Sequence, residues 1–275
     1  MMRLALFAVS FVLIAGTLRA QQVPQAPLGT TPADTANESP TYRSMTPLEK
    51  DEMRAALFMA RKQYDEAIKA YQTVLIGEPH NAKVLNSMGM AYQQIGNGEQ
   101  AERYYKLAIN ADKADPNALN NLGTVKYSEQ RYGQAIKYYR KSIGRGNAAA
   151  TVYTNLGYAY CSVKEYPKAM VVFAQALALD PDVFEHKGNT GSVLQQRSAS
   201  DPGALHFMLA KSYARIGDAE RAARYLKMSR DEGYKEFRTA ETDPDFAKVI
   251  KDPRVQEVLQ VQPAYASEPQ KPVTN

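Results

Sequence analysis

The residues able to carry chemistry in this sequence are few and poorly spaced for it. His80, His186 and His206 stand far apart, and none has a second ligand at metal spacing. Cys161, the only cysteine, cannot make an internal disulfide, a zinc site or a haem site. A small semi-buried side chain is the role expected of it, with a mixed disulfide as the alternative. There is no G-x-S-x-G, no phosphate loop and no dinucleotide fingerprint, and "GNTG" (188–191) follows no strand. No catalytic constellation emerges, so neither an enzyme nor a cofactor or metal is expected.

The chemistry that does recur is that of amides. "NALNNLG" (117–123) places three asparagines in what reads as the opening of a helix. Asn117 follows Asp115 and Pro116, a cap and a first-turn proline, where short polar side chains are favoured. Asn120 and Asn121 lie further in. Each costs roughly 0.5–0.7 kcal/mol relative to alanine there, because its amide competes with the backbone's own hydrogen bonds.

The elements that must position these amides follow a ruler. Ala67, Ala101, Ala135 and Ala169 are 34 residues apart each time. Four residues after each stands Tyr71, Tyr105, Tyr139 or Phe173, and eight after each Leu75, Ile109, Ile143 or Leu177. Gly89, Gly123 and Gly157 keep the same period, preceded by Met88, Leu122 and Leu156. Each unit reads as two helices with a short turn between them. A small residue at a helix crossing lets two backbones approach, and the aromatic fills the space beside them. "EPHN" (78–81), "ADP" (114–116) and "LDP" (179–181) punctuate the unit ends.

This pattern resembles the tetratricopeptide repeat (TPR), a helix–turn–helix unit of 34 residues. The resemblance rests on the Leu/Met–Gly pairs, on Tyr92 and Tyr160, on the turn aromatics Tyr64, Tyr132 and Tyr166, and on the alanine–aromatic pairs. Residues 82–181 match well. The first unit, 48–81, has Arg54 and Ala55 where the Leu–Gly pair belongs, and Lys126 occupies the tyrosine position of the third. A fifth unit appears at 209–226, its Ala222 lying one period plus 19 residues after Ala169. The resemblance implies an all-α fold in which antiparallel helix pairs stack as a right-handed superhelix, an α-solenoid. Two Asp-Pro starts in "TDPDFAKVIKDPRVQEVL" (242–259) read as short helices capping the exposed end of the stack.

The expected organisation is an export signal (1–20), a Pro/Thr/Ala-rich disordered linker (21–46) and four tandem units (47–181). An insertion (182–203), a fifth unit with capping helices (204–260) and a disordered tail (261–275) follow. The signal reading rests on Arg3, the apolar run Leu4–Gly16 and the Ala20–Gln21 junction, and places the mature protein in the periplasm or outside the cell. The apolar run is too short for a comfortable membrane span, although retention as an anchor is the alternative. Removing residues 1–20 takes the formal charge from +5 to +3, with 32 Lys+Arg against 29 Asp+Glu. That excess reads as spread along the chain without a basic cluster, which argues against nucleic acid.

By the resemblance, first helices of successive units line a concave groove. Opposite the apolar stripe of each first helix runs a second stripe. In the second unit it contains Lys83, Asn86, Ser87, Met90, Gln93 and Gln94. In the third it contains Asn117, Asn120, Asn121, Thr124, Tyr127 and Ser128, and in the fourth Thr151, Thr154, Asn155, Tyr158, Cys161 and Ser162. An amide offers both a donor and an acceptor to an extended peptide backbone, and Tyr127 and Tyr158 would add flat apolar surface. Lys83, with Lys211 and Arg215 of the fifth unit, is a thin set of cations for clamping a terminal carboxylate. The expected function is an exported scaffold binding a peptide or partner segment, against the plain alternative that these amides only coat a solvated face. The rival class is an accessory subunit that positions a catalytic partner, or an enzyme using the insertion.

Overall fold

The computed structural model describes residues 44–185 and 201–261. The chain divides into two units, Met1–Met45 and Thr46–Asn275, and of the first only residues 44 and 45 are described. The expected export signal, the linker up to residue 43, residues 186–200 of the insertion with His186, and the tail from 262 lie outside the described residues.

Every regular element described is helical. Five helix pairs follow one another: α1 (Pro47–Ala60) with α2 (Tyr64–Gly77), α3 (Ala82–Gln94) with α4 (Gly98–Ala111), α5 (Pro116–Ser128) with α6 (Tyr132–Gly144), α7 (Ala150–Ser162) with α8 (Tyr166–Leu179), and α9 (Pro202–Ile216) with α10 (Ala219–Asp231). Each pair packs closely, and each second helix also packs on the next first helix where the two are consecutive. The starts are fixed by side chains that take up orphan backbone N–H groups. Thr46 and Glu49 form a reciprocal capping box, and Asn81, Asn97, Asp115, Asp201 and Asp218 each accept from the first turn.

The turn inside each unit obeys the same ruler. Lys62, Gly96, Gln130 and Lys164, each 34 residues after the last, all have positive φ, and Gly217 does the same in the fifth unit. A left-handed residue at that point reverses the chain in three or four residues. Three units accept a side chain there at a cost of roughly 1–2 kcal/mol, which the packing of the pair must offset.

The packing is that of small residues against rings. Gly89, Gly123 and Gly157 lie against Tyr105, Tyr139 and Phe173, all three rings fully buried. The first unit's departure is absorbed, because Ala55 takes the glycine position and is itself fully buried. In the fifth unit the corresponding residues are Ala210 and Leu226, also buried. The core is a series of clusters. A large one runs from Tyr127 through α6–α10 to Leu259 of the cap, and smaller ones lie between the first three units.

The end of the stack is closed as expected. Asp243 and Asp252 cap a short 3-10 turn, Pro244–Phe246, and α11 (Pro253–Gln260). They bring Phe246, Val255 and Leu259 onto the last pair, together with Phe237 from a 3-10 segment at Lys235–Glu241. No helix among the described residues is long and apolar enough to cross a membrane.

Candidate functional site

The asparagines of successive first helices hydrogen-bond to one another. Asn155 Nδ2 on α7 donates to Asn120 Oδ1 on α5 at 3.1 Å. Asn120 Nδ2 donates to the neighbouring Asn121 Oδ1 at 3.3 Å, and Asn121 Nδ2 to Asn86 Oδ1 on α3 at 3.0 Å. Four amides thus form one continuous ladder across three units. The cost of placing asparagine in mid-helix is set against bonds that hold one unit to the next. Asn117 joins from outside the ladder, accepting from Asn147 Nδ2 at 3.4 Å.

The ladder does not exhaust the amides. Each side-chain amide carries two N–H donors and an oxygen with two lone pairs. Asn86, Asn120 and Asn121 are half-buried, so their remaining capacity is open to solvent or a ligand. Around them Lys83, Met90, Gln94 and Asn117 are exposed and Ser87 and Gln93 half-buried. Gln93 Oε1 already accepts from the Tyr105 hydroxyl at 2.7 Å, and Lys83 pairs with Glu52 of α1.

The third and fourth units differ from what their stripes suggest. Thr124, Tyr127, Thr154, Asn155, Tyr158 and Cys161 are buried rather than spread along an open surface. Tyr127 sits edge-on to Tyr132, and its hydroxyl bonds to Ser162 Oγ at 3.0 Å. Tyr158 lies edge-on to Phe173 and to Phe184, which also meets Tyr213 of α9. Phe184, half-buried, comes from the turn after α8, next to the buried Val183. The beginning of the insertion is therefore core, and an aromatic beside a valine at 183–184 was the signal for it. Burial pushes the Cys161 thiol up to about 12, so it is a packing residue.

The fifth-unit cations are taken internally. Lys211 Nζ pairs with Asp243 at 2.7 Å and Asp245 at 3.1 Å, and Arg215 lies 3.6 Å from Asp245. Both aspartates belong to the cap, so these cations fasten it to α9. His206 is buried against Glu232, while His80 is exposed in the turn before α3. No group of three or more His, Cys, Asp or Glu side chains able to hold a metal occurs among the described residues.

One ion network was not legible beforehand. Lys126, in the tyrosine position, is 2% exposed and pairs with Glu102 of α4 at 2.7 Å and Glu129 at 2.9 Å. Desolvation works to lower its pKa, but the hydrogen bonds and charges of the two glutamates outweigh it and hold the ammonium above its ordinary value. Burial raises Glu102, and Lys106 and Lys126 together override that and bring it below its ordinary value. The network ties the second unit to the third on the side where other units use a ring.

Comparison with known proteins agrees with this geometry. Two tetratricopeptide repeat models match, one over residues 58–122 and one over 120–184. Among solved structures, MamA from Desulfovibrio magneticus RS-1 is 18% identical with a TM-score of 0.49, covering 68% of this chain and 95% of that one. TTC0263, a thermophilic TPR protein from Thermus thermophilus, is 16% identical with a TM-score of 0.47, covering 71% and 97%. YrrB, a TPR protein with an unusual peptide-binding site, is 16% identical with a TM-score of 0.46, covering 67% and 86%. No curated protein sequence matches the chain significantly. Residues 58–184 are tetratricopeptide repeats, and the described helix pairs stack as an α-solenoid.

Proposed function

We propose that this protein is an exported scaffold that holds an extended segment of a partner protein along the first helices of its second and third units. The supporting observation is the half-buried part of the amide ladder. The remaining N–H groups and lone pairs of Asn86, Asn120 and Asn121 suit the C=O and N–H groups of an extended backbone. Exposed Met90 beside them offers an adaptable apolar contact. Selection from a phage-displayed library of short peptides tests the reading. Enriched peptides should lose roughly tenfold in affinity for Asn86→Ala combined with Met90→Asp, at about 0.5–1.5 kcal/mol per hydrogen bond. No enrichment, or affinity untouched by those changes, overturns it. Export rests on residues 1–20, and N-terminal sequencing of the native protein should begin at Gln21. An intact Met1 on a cytoplasmic product would overturn that part alone.

A further inference from the structure

The outer faces of two successive second helices carry the same hollow at the same register. On α4 it measures about 460 Å³ and is lined by Glu99, Glu102, Arg103, Lys106 and Leu107. On α6 it measures about 440 Å³ and is lined by Gly133, Ile136, Lys137, Arg140 and Lys141, each 34 residues after its counterpart. The chemistry differs in one respect. The α4 hollow contains its own carboxylates, and Glu102 pairs with Lys106 at 2.8 Å. In the α6 hollow glycine and isoleucine stand where those two acids were, while three cations line it.

The surroundings do not make up the deficit. No acidic residue lies between Glu129 and Glu165, a stretch that carries Arg131, Lys137, Arg140, Lys141, Arg145 and Lys164. Glu129 is engaged by Lys126 and Arg131, and Glu165 by Lys168. Lys137, Arg140, Lys141 and Arg145 are exposed and form no ion pair among the described residues. Lys137, Arg140 and Lys141, at spacings of three and four residues, share one face of α6, and Arg145 follows as its C-cap. The basic excess that looks evenly spread in sequence is therefore gathered by the helix into a local cationic face.

We propose that the outer face of α6 is a second docking surface, which takes an acidic peptide segment of a partner protein. The charge complementarity is argued from the molecule's own preceding unit: carboxylates are the groups that occupy this hollow where the chain supplies them itself. The surface lies on a second helix and shares no residue with the amide ladder, so this inference stands apart from the first-helix reading.

Fluorescein-labelled decaglutamate, titrated with the full chain at low salt, is the probe. Binding should weaken about tenfold in K137Q/R140Q/K141Q, the loss expected when several exposed ion pairs are removed together. Gly133→Glu restores the built-in carboxylate of the preceding unit. A Cβ there meets nothing within 4 Å, so the change is sterically free. An acid in the first turn also favours the helix. It should weaken binding roughly fivefold without lowering the melting temperature. Gln72→Glu, the same charge change on the exposed face of α2, should leave binding unaltered. So should Asn86→Ala. Equal binding by the triple variant overturns the proposal, and so does a loss in Gln72→Glu equal to that in Gly133→Glu, which reduces the effect to net charge. Preference for phosphatidylglycerol vesicles or a thymidine decanucleotide over decaglutamate overturns it as well, and loss with Asn86→Ala moves the peptide to the ladder.

Discussion

The ring of Tyr139 on α6 occupies the space that a side chain on Gly123 of α5 would need, with Cε1 2.6 Å from the position of a Cβ. That ring is fully buried, and its hydroxyl donates to Thr124 Oγ1 at 3.3 Å, so it has little room to retreat. Gly123→Val should lower the unfolding free energy by about 1–3 kcal/mol through overpacking. Gly133→Ala, one helix later and facing open space, should raise it by up to about 1 kcal/mol. Paired thermal and urea melts distinguish the two signs; a neutral Gly123→Val would mean that α5 and α6 do not meet there.

Helix propensity alone makes any Asn→Ala change in α5 stabilising by a few tenths of a kcal/mol. The ladder reverses that expectation at its centre. Asn120 donates one amide bond and accepts another, so Asn120→Ala removes two inter-residue contacts at once. A net loss of about 1–2 kcal/mol should follow, at 0.5–1.5 kcal/mol per bond. Asn86, at the ladder's end, gives up one such bond and should cost less. Denaturant midpoints for the two variants, compared at constant slope, check the order. A stabilised Asn120→Ala would remove the ladder from any account of how the units are held in register.

The Lys126 network gives stability a pH window. The carboxyl of Glu102 is held below its ordinary 4.5, so its contribution is present above that value and is lost as pH falls through the lower, folded one. The Lys126 ammonium is held above its ordinary 10.5, so its share persists below that value and is lost as pH rises through the higher, folded one. The pair should therefore act fully between these limits. Lys126→Tyr, which copies Tyr92 and Tyr160, should flatten the acid limb of the stability curve. It should cost little at neutral pH, because Glu102 and Glu129 are partly exposed and keep Lys106 and Arg131 as partners. An unchanged acid limb in Lys126→Tyr contradicts the assignment.

Cys161 should resist thiol reagents in the folded protein. It is 6% exposed, and its thiol is pushed up to about 12, leaving almost no thiolate at neutral pH. Labelling by iodoacetamide should be negligible under native conditions and complete in guanidinium. Rapid native labelling would show that α7 opens readily.

What was legible in the sequence was whatever repeats with the helix pair. The alanine–aromatic spacing located the contacts between helices, and the glycines located the close approaches. The Asp-Pro pairs at 243–244 and 252–253 located the cap. What escaped notice departs from the 34-residue ruler. The amide bonds between units, like the bond between Tyr127 and Ser162, join residues 35 apart, one period plus one, so no column of equivalent positions displays them. Reading Asn155 as part of an open surface overlooked that its amide is buried against Asn120. Phe184 was hidden in a segment judged by its glycines and serines. The cationic face of α6 was hidden by a net charge that averages over the whole chain. In each case the missing information was a contact between elements, which composition and period do not encode.

The uneven division of the core gives unfolding a direction. From Tyr127 onward one cluster runs through α6–α10 and the cap without a gap, whereas the first three units share several small ones. Separate clusters melt separately, and a continuous one melts as a block. Heat or a protease should peel the chain from its amino-terminal pairs inward and leave a resistant carboxy-terminal half. The seam between the two regimes falls at α5, the helix that carries the central amides of the ladder. Those bonds are the latch across the seam, and they decide how far the fraying travels.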